Sequence, residues 1–200
     1  MKYKIAAISV LLISGALFAG EDAGPKSESV ADRLRNDPLM MPYYTGVVLP
    51  TPQKAEYRDE FVSMANVAIV VGKGVENPGP LLAVLTDRIA RYGGNAELVS
   101  AVGPKHTAVI SLGDTEFSGQ ARNVPAVPDK AEGYVLWFAP QPVADKQLVI
   151  MKGHDRLGLL WAISSFNQLV HWKDGKTLAR AVNLEDYPRG RNRGYITGGG

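Results

Sequence analysis

Two carboxylates held at a suitable separation can cleave a glycosidic bond, and the acids of this chain sort by that test. Asp87 shares its segment with Arg88 and Arg91, the signature of a solvated helix face. Glu132 precedes a strand pattern and Asp155 opens a helix pattern, so turn and cap chemistry is reason enough for both. Glu185 and Asp186 are neighbours at a strand end. Neighbours on an extended chain point to opposite faces, so these two cannot flank one bond together. For each acid the structural role outweighs the catalytic one. His106, His154 and His171 are far apart, and none belongs to an H-x-x-x-H or H-E-x-x-H pattern, so no metal site is expected. His154, two residues before a helix pattern, reads as a loop or capping residue. The chain has no cysteine. That removes disulfides, thiolate zinc sites, iron–sulfur clusters and a cysteine nucleophile. The stretch Gly72-Lys73-Gly74-Val75-Glu76 lacks the G-x-x-x-x-G-K-[ST] spacing of a phosphate loop, and no G-x-S-x-G elbow is present. No catalytic residue, metal or cofactor is expected from these motifs.

The elements that would have to position any site belong to one ordinary globular body. The 200 residues are 46% hydrophobic, 21% charged and 8% aromatic, which suffices for a domain with its own core. Lysine plus arginine number 22 against 20 aspartate plus glutamate, for +2, and the basic residues are scattered. Nucleic acid is therefore not an expected partner. Lys2 and Lys4 precede an apolar run from Ile5 to Ala19 that ends in the small residues Ala19 and Gly20, the layout of a signal peptide over residues 1–20, cleaved near Ala19. An uncleaved anchor and a buried core helix are the competing readings. The run is short of the roughly 20 apolar residues of a membrane span. Lipid attachment is excluded, because it needs a cysteine just after the run. Losing Lys2 and Lys4 takes the formal charge from +2 to 0. An exported chain without cysteine fits a bacterial periplasm or exterior. Residues 21–45 mix Gly, Pro, Ser, Lys and Glu and read as a linker, with a short helical possibility from Ser29 to Arg35 and local packing of Met40, Met41, Tyr43 and Tyr44.

From Gly46 onward, short apolar runs alternate with turn residues. Val47 to Leu49 is a predicted strand ended by Pro50 and Pro52. Phe61 to Gly72 holds Val67-Ala68-Ile69-Val70-Val71, a buried strand. Pro78 and Pro80 open a helix whose Leu82, Leu85, Ile89 and Tyr92 form one stripe, and Gly93-Gly94 stop it. Thr107 to Leu112 predicts a strand, Ala121 to Ala131 a surface loop, and Tyr134 to Phe138 and Gln147 to Met151 two more strands. Asp155 then caps the strongest helix. Its Leu159, Ala162, Ile163, Phe166, Leu169 and Val170 share one face, with Ser164, Ser165, Gln168 and Trp172 opposite. Asp174-Gly175 closes that segment, and Leu178 to Leu184 forms a last strand. The order β-β-α-β-β-β-α-β implies an α+β two-layer sandwich, a mixed sheet with two helices on one face. No internal repeat of 20–50 residues is visible, which excludes a solenoid or propeller.

Recognition adds what spacing does not. Glu132-Gly133-Tyr134, the run Leu148 to Gly158 with Gly153-His154-Asp155-Arg156 at its centre, Ser165-Phe166-Asn167-Gln168-Leu169, and Asp186-Tyr187-Pro188-Arg189-Gly190-Arg191-Asn192-Arg193-Gly194 resemble, in order and spacing, the non-catalytic N-terminal domain of glycoside hydrolase family 20 β-N-acetylhexosaminidases. Similar domains precede the barrels of family 84 enzymes and of α-glucuronidases. Leu49-Pro50-Thr51-Pro52-Gln53 looks like the first-strand motif of the same domain. The resemblance runs from about Val47 to Gly200. It implies a domain over residues 46–187 and a junction over residues 188–200, which would hold the truncated start of a (β/α)8 barrel with Tyr195-Ile196-Thr197 in its first strand. In the family, D-x-P-R-F-x-x-R-G makes that junction. Asp186, Pro188, Arg189, Arg193 and Gly194 match, while Gly190 stands where the family has phenylalanine. The family's reaction is substrate-assisted, with a catalytic Asp-Glu pair well inside the barrel, so the resemblance places no catalytic residue in this chain. It makes Arg193 the one candidate substrate-binding residue, a planar fork suited to two sugar oxygens. Pairing of Arg193 with Asp186 or with a barrel acid is the alternative.

Gly158, on the first turn of the strong helix, reads either as a close-packing point or as a tolerated helical glycine. Gln168 can bond a neighbouring loop. The expectation is an accessory domain of an exported glycoside hydrolase acting on terminal N-acetylhexosamine. Its partners are the catalytic barrel of the same parent chain and, through that barrel, the substrate; a stable membrane span and a cofactor are not expected. The competing expectation is a free-standing secreted carbohydrate-binding or interaction module, for which Tyr134, Trp137, Trp161 and Trp172 are the available rings. Tyr134 and Trp137 fall on opposite faces of one strand, and Trp161 and Trp172 on one side of a helix.

Overall fold

A computed structural model describes residues 46–189. The expected signal peptide, the linker, Arg193 and the barrel strand lie outside the described residues. In chain order the elements are β1 (Lys54–Ser63), β2 (Asn66–Val71), α1 (Gly79–Arg91), β3 (Asn95–Leu98), β4 (Ala108–Leu112), α2 (Glu116–Gln120), β5 (Tyr134–Phe138), β6 (Gln147–Gly153), α3 (Arg156–Leu169), β7 (Val170–Lys173) and β8 (Lys176–Asp186). The eight strands make one mixed sheet in the order β1-β8-β5-β6-β4-β2-β3, with β7 paired to β8 beside that path. β3, β2, β4 and β6 are mutually parallel, whereas β5, β8 and β1 add antiparallel. Parallel neighbours need a crossover, and α1 supplies the one from β2 to β3.

The register puts Ile69, Ile110, Leu136, Met151 and Leu184 on one face of the sheet. There they join Leu81, Leu85 and Ile89 of α1 and Leu159, Ile163 and Phe166 of α3 in a single buried cluster. Phe138 stacks on Phe166 with ring centroids 6.2 Å apart. Ala68, Val109, Trp137, Leu148 and Ile150 point to the other face. Half-buried Phe117 of α2 and the valines Val124, Val127 and Val143 of the loops cover them. The α+β architecture with two long helices on one face is as the sequence implies, and the stretch read as a surface loop also shields the second face.

Several elements differ from the sequence reading. Residues 47–49 form no strand; Val48 instead donates its N–H to the Tyr57 hydroxyl at 2.8 Å. Phe61 to Ser63 end β1 rather than opening the next strand, and a register irregularity lies between Tyr57 and Phe61. The charged run Lys54 to Glu60 has no apolar alternation, because β1 is an edge strand whose side chains meet water. In α1 the buried positions are Leu81, Leu85 and Ile89, with Leu82 only partly covered. Gly93 ends that helix at φ +82°, its N–H on the Ala90 carbonyl. β3 and α2 are short additions. The predicted final helix stops at Leu169, because Val170 adopts extended angles and begins β7. Asp174 at φ +50° and Gly175 at φ +77° then turn β7 into β8. An Asp-Gly pair is the strongest short hairpin signal a sequence carries, and it marks this turn.

Candidate interdomain junction

β8 delivers the chain to the end of the sheet where β6 finishes and where β5 and β1 begin. Asp186 lies opposite Tyr134, Tyr134 opposite Gly153, and Lys54 opposite Glu185. Asp186 is tied down on both carboxylate oxygens. Oδ1 accepts from the Gln53 backbone N–H at 3.1 Å, and Oδ2 from the Tyr134 hydroxyl at 3.2 Å. The same hydroxyl lies 2.7 Å from Ser165 Oγ, which joins the sheet end to the buried side of α3. Gln53 reaches past Asp186, donating from Nε2 to the Tyr187 carbonyl at 3.3 Å and accepting on Oε1 from Arg189 Nε at 3.1 Å. The segment ahead of β1 and the segment behind β8 are thus clasped to each other.

A second set of contacts fixes the start of α3 against the start of β5. Asp155 caps the helix through Oδ1 on the Gly158 N–H at 2.8 Å, and its Oδ2 accepts from the Glu132 N–H at 2.8 Å. Burial alone would raise the Asp155 pKa, but the Glu132 and Gly158 N–H groups and nearby His154 outweigh it and hold the carboxyl below its ordinary value. Glu132, at φ +60°, accepts the Trp161 indole N–H on Oε2 at 2.7 Å. A Cβ on Gly158 would stand 2.3 Å from the Gly133 carbonyl oxygen. Of the two readings of this glycine, close packing holds, although the surface it meets is the loop entering β5. Gln168 bonds Leu49 both ways, donating to its carbonyl at 3.0 Å and accepting its N–H at 2.8 Å.

The other residues singled out above fall where their structural roles suggested. Asp87 pairs with Arg91 at 3.1 Å on an exposed face. His106 is buried, with Nδ1 accepting from the Gly103 N–H and Nε2 beside Glu97 at 2.9 Å. His154 reaches Asp129 at 3.2 Å. His171 is packed edge-on to Phe61, its charged form disfavoured first by burial and then by Lys173. Among the described residues no group of three or more His, Asp or Glu could hold a metal ion, and no helix is long and apolar enough to cross a membrane. The glycine-rich loop after β2 lies against the turn after β4, through Gly72 N–H on the Leu112 carbonyl and the pairing of Lys73 with Asp114. Tyr134 and Trp137 face opposite sides, as expected, and each is buried. Trp161 and Trp172 do not share a helix side, because Trp172 stands on β7. The clasp by Gln53 and the Trp161–Glu132 bond were not foreseen. Both join residues far apart in sequence, which a linear pattern does not pair.

A family model described as glycosyl hydrolase family 20, domain 2, matches residues 46–187. No curated protein matches the sequence. Among solved structures, CpGH84D is similar at 17% identity and a TM-score of 0.57, over 74% of this chain and 25% of that one. A β-N-acetylhexosaminidase from Bacteroides fragilis is 19% identical over 72% of this chain and 25% of its own, with a TM-score of 0.49. An exo-β-N-acetylglucosaminidase from Vibrio harveyi is 12% identical over 74% and 20%, with a TM-score of 0.48. At such identities the likeness to CpGH84D speaks for the fold alone. The chain spans about a quarter of the length of these solved structures or less.

Proposed function

We propose, from the premise that this chain belongs to glycosyl hydrolase family 20 through its domain 2, that it is the accessory domain of an exported enzyme whose catalytic (β/α)8 barrel follows it and hydrolyses terminal N-acetylhexosamine residues. The observation that carries this reading is the clasp at the end of β8. Asp186, Tyr134, Ser165, Gln53 and Arg189 form a bonded chain that fixes the direction in which the polypeptide leaves the sheet. A domain whose task is to seat a following barrel needs such a fixed exit. Beside it, α3 presents Leu157, 50% exposed, and partly covered Leu160 and Trp161 to the outside, an apolar row suited to a neighbour. In this reading Arg193 reaches the barrel's sugar site, signal-peptide cleavage near Ala19 releases the protein to the periplasm or exterior, and the chemistry belongs to the barrel.

The test is an assay on a chromogenic N-acetylglucosaminide with two proteins, the 200-residue chain and the product of the extended reading frame. The short chain is expected to be inert and the long one active, with R193A lowering turnover and leaving the fold intact. Turnover by the short chain, or an extension without a barrel, would overturn the proposal.

A further inference from the structure

On the sheet face away from α1 and α3, the loops cover β2, β4, β6 and β5, and among the described residues they leave the outer β1–β8 side open. Two grooves lie there. One, of about 390 Å3, is lined by Lys54, Glu56, Asn123, Pro125, Trp137 and Asn183. The other, of about 350 Å3, lies between Gln120–Asn123 and Ala139–Val143 and shares Trp137 and Asn123 with the first. Both volumes fall in the range of small-molecule pockets. Asn183 stands in register between Glu56 of β1 and Trp137 of β5, on the floor of the first groove. Its Oδ1 is buried with no hydrogen-bond partner among the described residues. Trp137 is 4% exposed, and its indole N–H makes no side-chain hydrogen bond among the described residues, though it is not one of the fully buried polar atoms. A natural domain rarely leaves a buried polar atom unmatched, so the Asn183 oxygen asks for a donor, and the Trp137 N–H beside it is open to an acceptor; one ligand that both donates and accepts would serve both.

We infer that these adjoining grooves bind a short neutral saccharide, one unit of which sits over Asn183 and Trp137 and the next beyond Asn123. Hydroxyl groups donate and accept in one small group, and the planar Asn183 amide matches a vicinal pair of them. Charge argues for neutrality: Lys54 is already paired with Glu185 at 3.0 Å, and Glu56 in one groove is offset by Arg122 in the other. The inference does not depend on a following barrel.

The experiment titrates the 200-residue chain with chitobiose, cellobiose and glucose 6-phosphate, reading tryptophan fluorescence and calorimetric heat. Saturable binding of at least one neutral disaccharide is expected, weakened at least tenfold by N183L, which keeps size and removes the amide, and by W137F, which keeps an aromatic ring, though a smaller one, and removes the N–H. N183L should also raise the Tm of the ligand-free chain, since it removes a buried atom without a partner. W137F serves as the second probe if N183L does not fold. Absence of saturable binding by both neutral sugars, binding of the phosphate alone, or binding left within twofold by both variants would each overturn the proposal.

Discussion

Gly158 has no room for a methyl group. The carbonyl of Gly133 would lie 2.3 Å from it, and that neighbour is backbone, which cannot swing aside. G158A is therefore expected to destabilise the domain by about 1–3 kcal/mol, the usual cost of overpacking, even though alanine is the better helix former. Urea denaturation compares the two proteins directly, and an unchanged midpoint would remove the close-packing role. Tyr134 presents the complementary case, since its ring is buried and only its hydroxyl bridges Ser165 and Asp186. Y134F should cost about 1 kcal/mol, the net value of a typical hydrogen bond, with the fold retained. His171 gives a pH signature. Burial keeps its folded pKa below 6.5, so the neutral form is the one the fold accepts, and its contribution to stability is full above that value. As the pH drops below 6.5 the unfolded chain takes up the proton first, and stability falls until the folded pKa is passed. H171F should flatten the stability profile between pH 7 and 5; a profile unchanged by the substitution would assign the acid sensitivity elsewhere.

At the scale of elements, β1 is the piece most dependent on side chains from outside itself. Most of its residues are exposed and its register is interrupted between Tyr57 and Phe61. Arg180 of β8 spans that interruption. It donates to the Arg58 carbonyl at 3.1 Å, to the Gly46 carbonyl at 2.8 Å and to Asp59 at 3.1 Å, with its guanidinium 5.3 Å from the Tyr57 ring centroid. One cation thus holds the edge strand and the segment leading into it. R180A is expected to lose about 2 kcal/mol, in the range for bonds to a charged group, and R180K to recover little, because a lysine lacks the planar fork. Hydrogen exchange should then show β1 and residues 46–50 opening while β4 and β6 stay protected. Uniform loss of protection across the sheet would argue that β1 is not a separate unit.

At the scale of the whole molecule, one end of the sheet gathers the exit from β8, the cap of α3 and the incoming end of β1. In the proposed parent enzyme this end and the outer row of α3 meet the barrel. L157D should accordingly leave the 200-residue chain as stable as before, because Leu157 is half exposed and away from the core. In the longer protein the same change should lower the Tm by several degrees and weaken retention of activity on heating. Equal behaviour of the two proteins would place the barrel on another surface.

The amino-acid sequence by itself determined the elements whose residues face one core. The run Val67 to Val71, the stripe of α1, the strands β4, β5 and β6 and the capped helix α3 all carry their burial in their spacing, since periodicity reports directly on which side meets water. The family motifs were legible too, and the match over residues 46–187 agrees with them. Tertiary structure decided what local pattern leaves open. The charged strand β1 is extended because β8 offers it backbone partners, and Val170 leaves the helix because β8 offers it an edge. The clasp of Gln53, Asp186 and Arg189 and the placing of the unmatched Asn183 oxygen beside Trp137 exist only once strands far apart in the chain lie side by side. Hydrogen-bond partners are set by proximity in space, and proximity across a sheet is fixed by strand order, which no single stretch of residues encodes.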